Sequence, residues 1–96
     1  MKVIISEFAS NQYKEIREYL VIEWGESTAK RFDQKFYKLE ELISENSLIG
    51  VSEVPNLDIR SVNFTSKLRV FYKIEYDQII VLQIYDVRQN PKNRPY

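Results

Sequence analysis

The sequence predicts an α+β fold: a helical hairpin packed on one face of an antiparallel sheet, in the order β-α-α-β-β-β. Three observations predict it. Apolar residues recur every three or four positions from Ala9 to Ile43, then at alternate positions from Ile59 onward. Gly25 is the only glycine before residue 50, so the helical stretch breaks once. The chain has 96 residues, 44% hydrophobic and 14% aromatic, enough for one modest core and a single domain over 1–96.

Each element has its own signal. Lys2 to Ile5 is rich in β-branched residues and reads as a short strand. Ser6 can cap the helix that follows, its hydroxyl accepting a free backbone N–H. Ala9, Tyr13, Ile16, Leu20 and Trp24 make that helix's apolar stripe. Gly25 ends it, and Ser27 can cap the next one. There Ala29, Phe32, Phe36, Leu39 and Ile43 form the stripe, opposite a solvated face of Lys30, Arg31, Gln34, Lys38, Glu41 and Glu45. The two stripes mark Trp24 and Phe32 as buried aromatics, each costing roughly 3–5 kcal/mol on truncation to alanine. Asn46 to Asp58 reads as a loop punctuated by Gly50 and Pro55. Ile59–Phe64, Lys67–Tyr76 and Gln78–Arg88 read as three strands, the last apolar enough to be central in the sheet. Residues 90–96, with two prolines, read as a tail whose last residue, Tyr96, is free to move.

A tight turn at Asp77-Gln78 would pair Phe71 with Ile84, Arg69 with Asp86 and Lys67 with Arg88. Leu68, Val70, Tyr72 and Ile74 would then face the helices together with Val81, Tyr85 and Val87. Lys67, Arg69, Asp86 and Arg88 would gather at one end of the other face. That cluster reads either as an anion site, because the arginine fork matches a phosphate, or as a cross-strand ion pair with solvated neighbours. A different turn length would shift the register and scatter it.

Composition narrows the chemistry. The chain has no Cys and no His, so a thiol nucleophile, a disulfide framework and the commonest zinc ligand and general base are missing. No cofactor or metal is expected. Fourteen basic and fourteen acidic side chains give zero net charge, a poor footprint for nucleic acid. The charge is split, however: residues 1–54 carry 7 basic and 10 acidic groups, residues 55–96 carry 7 and 4. The apolar runs are too short for a signal peptide or a membrane span, so a cytoplasmic protein is expected.

The block from Leu68 to Pro91, with Arg69-Val70-Phe71-Tyr72 and Arg88-Gln89-Asn90-Pro91, resembles the C-terminal half of the RelE/ParE toxins of type II toxin–antitoxin systems. Ala9, Glu15, Ile16, Tyr19, Leu20, Trp24-Gly25, Ala29 and Phe32 agree in type with the first half of that family. The resemblance implies a growth inhibitor silenced by a cognate antitoxin, in a toxin–antitoxin hetero-oligomer. One branch of the family cleaves mRNA on the ribosome, and in that branch Arg69 and Arg88 would be catalytic, stabilising the phosphate. The ParE-like branch poisons DNA gyrase and needs no nuclease site. Arg60, Lys67, Arg69 and Arg88 are the anion- or target-binding candidates in either case. The missing His, a carboxylate at Asp86 and the zero net charge favour the ParE-like, non-enzymatic branch. A toxin fold that has lost activity and serves as a binding module is the third reading.

Overall fold

The computed structural model describes residues 1–89 and 91–96. In chain order it comprises β1 (Lys2–Ile5), α1 (Glu7–Trp24), α2 (Glu26–Glu45), β2 (Val51–Val54), β3 (Ile59–Asn63), β4 (Leu68–Glu75) and β5 (Gln78–Asp86). Short 3-10 turns span Pro55–Leu57 and Pro91–Asn93. The five strands form one sheet in the order β1-β5-β4-β3-β2, with both helices on one face. All neighbouring pairs are antiparallel except β1 and β5, which run parallel. The α+β architecture with a helical hairpin on one face therefore stands as read from the sequence, with one strand more. Val51–Val54, expected as loop, pairs with β3 through an irregular register and closes the sheet's edge. Four residues between Gly50 and Pro55 are too few for a periodic signal to show.

The core lies between the helices and the sheet. Phe36, Leu39 and Ile43 of α2 pack with Ala9 of α1 against Val70, Tyr72, Ile79, Val81 and Ile84. Ala9 is fully buried, which lets α1 approach β5 closely. The Ser6 hydroxyl caps α1 as expected, accepting from the Ala9 amide at 3.1 Å. It has a second duty. β1 ends at Ile5, opposite Val81, so β5 runs on without a strand on that side. Ser6 donates to the Leu82 carbonyl at 3.2 Å, and the Gln12 side chain accepts from the Ile84 amide at 2.7 Å. The start of α1 thus satisfies backbone groups that would otherwise be left open at the sheet edge.

Between the helices, the Tyr13 ring sits against Phe32 and Phe36, with centroids 5.0 and 4.8 Å away. Its hydroxyl donates to Asp33 at 2.6 Å, and Arg17 bridges Asp33 and Glu26. Burial, reinforced by the Asp33 carboxylate, pushes the Tyr13 phenol well above its ordinary range. Gly25, at φ 92°, both ends α1 and begins α2, so Ser27 does not cap the second helix as expected. Trp24, expected in the core, is 68% exposed, and Tyr19 and Ile22 are exposed with it.

Tyr72 ties the loop after α2 to the sheet. Its hydroxyl donates to the Ser47 carbonyl at 2.7 Å and accepts from the Gly50 amide at 3.0 Å. Gly50 is required by this approach, because a Cβ there would lie 2.7 Å from both the Tyr72 hydroxyl and the Ser61 carbonyl.

Truncating Phe36 to alanine should cost about 3–5 kcal/mol in urea unfolding. Trp24→Ala should cost no more than about 0.5 kcal/mol, reversing the expectation from the apolar stripe. A large loss at Trp24 would mean that α1 ends inside the core.

Candidate target-binding surface

The position of each basic candidate follows from the β4–β5 hairpin. The turn uses Tyr76 and Asp77, not Asp77 and Gln78, so Glu75 pairs with Gln78 and Ile74 with Ile79. Tyr76 takes the left-handed conformation at φ 58°, a position glycine usually fills, which is why composition did not reveal it. Tyr72 then pairs with Val81 but Phe71 with Gln83, leaving Leu82 as an unpaired bulge residue. Beyond the bulge the partners are Val70 with Ile84, Arg69 with Tyr85 and Leu68 with Asp86.

This register overturns the expected Arg69–Asp86 pair and the gathering of four charges on one face. Tyr85, expected on the helix side, packs instead against Phe71 on the second face, and Val87 is exposed beyond the strand. Arg69 shares that second face. Its Nε donates to the Ser61 hydroxyl at 2.7 Å and its Nη1 donates to Asn63. Ser61 in turn donates to Glu53 at 2.6 Å. Burial alone would raise the Glu53 carboxyl, but Ser61, Arg94 and Arg69 outweigh it and hold the carboxyl below its ordinary value.

Lys67 and Arg88 lie on the helix side. With Asp86 and Leu68 they border a groove of about 470 Å³ whose other wall is α1, at Glu15, Ile16, Tyr19, Leu20 and Trp24. Here the exposed Trp24 has a place: it forms the apolar wall opposite two cations. Arg88 is folded back on Asp86, with Nη2–Oδ2 at 2.7 Å and Nε–Oδ1 at 3.0 Å. The Arg88 amide also donates to Oδ1, at 2.9 Å. The side-chain bonds from Arg88, then its amide, lower Asp86 from 3.8 to about 2. Such a carboxylate stays ionised at neutral pH and has no proton to donate. Arg60, the fourth candidate, spends Nη1 on the Gly50 and Leu48 carbonyls, at 2.8 and 3.3 Å. Its Nε is buried with no partner. Of the motif that ends the resemblance, Asn90 lies outside the described residues. Among the described residues, no group of three or more His, Cys, Asp or Glu could hold a metal ion. Nor is any helix long and apolar enough to cross a membrane.

The family model for the ParE toxin of the type II toxin–antitoxin system parDE matches residues 3–91. The chain belongs to the ParE toxin family. Its fold is similar to a structure of the chromosomal ParDE toxin–antitoxin system from P. aeruginosa, at 18% identity and a TM-score of 0.75, covering 92% of this chain and 97% of that one. It is also similar to the YoeB/ParE toxin from Agrobacterium tumefaciens, at 15% identity and a TM-score of 0.63, covering 90% and 98%. No curated protein matches the sequence. Membership of the ParE family of a two-component system implies an antitoxin partner.

Two side chains of this ParE-family chain escaped sequence reasoning. Trp24 was absorbed into a core stripe, and Glu53 fell in the supposed loop. A break at Gly25, one residue after Trp24, was the only hint that the stripe stops short.

Asp86 gives a pH test. Its lowered carboxyl stabilises the fold above about pH 4, and that contribution disappears as pH falls toward 2. Asp86→Asn should therefore be less stable than the native chain at neutral pH, with the gap in urea unfolding closing as pH drops through this window. A gap that does not change with pH would show that the Arg88 contact does not form.

Proposed function

We propose that this ParE-family toxin inhibits growth by acting on DNA gyrase, without cleaving nucleic acid, and is neutralised in the cytoplasm by a cognate antitoxin. One observation carries the reading: the two motif arginines, Arg69 and Arg88, lie on opposite faces of the sheet. Phosphate cleavage needs cations converging on one scissile group and an acid or base beside them. Here one arginine is bonded to Ser61 and Asn63 on the second face. The other is bonded on the helix side to Asp86, whose lowered carboxyl is ionised at neutral pH. The chain has no His to fill the acid–base role.

Target contact is assigned to the groove that Lys67 and Arg88 share with Tyr19 and Trp24. Long cationic side chains beside exposed aromatics are the composition of a protein-binding hot spot. Arg69 contributes from the second face by ordering β3 and β4. Arg60 is left out of the contact surface, since its guanidinium holds the loop before β2.

The test is expression of the chain without its antitoxin. Thymidine incorporation should fall within minutes while amino-acid incorporation continues, and purified gyrase should lose supercoiling activity. Lys67→Ala should keep its melting temperature, Arg88→Ala should lose no more stability than Asp86→Asn, and both should lose inhibition by roughly tenfold or more, about 1.4 kcal/mol of contact energy. Translation stopping first would instead assign the chain to mRNA cleavage. No inhibition of either process would leave a toxin fold that acts only as a binding module.

A further inference from the structure

The sheet face away from the helices is closed in an unexpected way. Neither α1 nor α2 packs there, yet Phe71 is fully buried and Tyr85 is only 5% exposed. Their rings meet edge to face, with centroids 6.1 Å apart. The cover is the segment expected to be free. The Tyr96 ring lies against Phe71, with centroids 5.3 Å apart, and the Arg94 guanidinium carbon sits 5.5 Å from the centre of the same ring. Arg94 Nη2 pairs with Glu53 Oε1 at 2.8 Å, and its Nε donates to the Tyr96 carbonyl at 3.0 Å.

We propose that Arg94, Pro95 and Tyr96 form a detachable clasp, seated on Phe71 and Glu53, which opens without unfolding the domain. The attachments of this segment among the described residues are of the kinds that break individually. One is a partly exposed ion pair, one a cation over an aromatic face and one a ring contact, each modest in water. None belongs to the β3–β4–β5 ladder or to the core under the helices, so the sheet keeps its pairing when they separate. Opening uncovers the Phe71 ring, which meets Tyr85 of the adjacent strand edge to face. It also removes one of the two donors on Glu53 Oε1, the oxygen that holds Ser61 and, through it, Arg69. The clasp is therefore connected by hydrogen bonds to a motif arginine, whichever target the toxin acts on.

Nuclear magnetic resonance of the full chain tests this directly. The native protein should show through-space contacts between the Tyr96 and Phe71 rings. In Arg94→Ala and in Glu53→Gln those contacts should be lost, and the Tyr96 ring signals should move to the positions of an unstructured tyrosine. The Phe71 and Tyr85 signals should shift, while those of Ile43 and Val70 stay in place. Three results would overturn the proposal. The native chain could lack the Tyr96–Phe71 contact. The contact could persist in both variants. The Ile43 and Val70 signals could move together with Tyr96, which would make the segment part of the cooperative fold. In a mixture of differently labelled chains, contacts between molecules would replace the clasp with an exchanged dimer.

Discussion

Leu82 has no partner across the β4–β5 hairpin, and this extra residue decides where the side chains at the far end of the sheet point. Strand side chains alternate with a period of two, so one additional residue inverts every position that follows. Before the bulge, Ile79 and Val81 fill the core. After it, Ile84 does, while Tyr85 turns to the opposite face and Asp86 returns to the helix side. Arg69 and Arg88, nineteen residues apart in one motif, are separated by the sheet as a result. The bulge is held in place by the turn at Tyr76 on one side and by α1 on the other, where Ser6 and Gln12 bind the backbone of β5 as it passes the end of β1.

The α+β order, the helical hairpin and the position of β5 inside the sheet were legible because each rests on a long periodic signal. Five of the residues assigned to the α2 stripe, Ala29, Phe32, Phe36, Leu39 and Ile43, are all buried. What was illegible is local. The run Ile79-Ile80-Val81-Leu82 is apolar on every position, so no alternation marks the residue that drops out of pairing. Tyr76 occupies a glycine-type conformation without being glycine. β2 is four residues long and lies between Gly50 and a proline. Its Glu53 becomes important only through Ser61 and Arg94, 8 and 41 positions away in sequence. The motif residues were found by resemblance, but which of them share a face is a property of register, and register was set by these features.

Separating the arginines divides the molecule into two working surfaces. The helix side offers a groove with Lys67 and Arg88 facing the last turns of α1, where Trp24 is exposed to solvent. The second side carries Arg69 in a hydrogen-bonded row that runs through Ser61 and Glu53 to Arg94, beside the Phe71 ring covered by Arg94 and Tyr96. Arg69 and Arg88, the two arginines of the motif, do not converge on either surface. Both surfaces suit protein partners, one as an aromatic and cationic groove, the other as a face whose cover lifts.

The most direct test is the register of the β4–β5 hairpin in solution, read from through-space proton contacts between the strands. Phe71 should lie across from Gln83 and Arg69 across from Tyr85, with the Tyr85 ring touching Phe71 and not α2. Contacts pairing Phe71 with Ile84 and Arg69 with Asp86 would bring the charges back to one face and contradict the division of the arginines on which the functional reading stands.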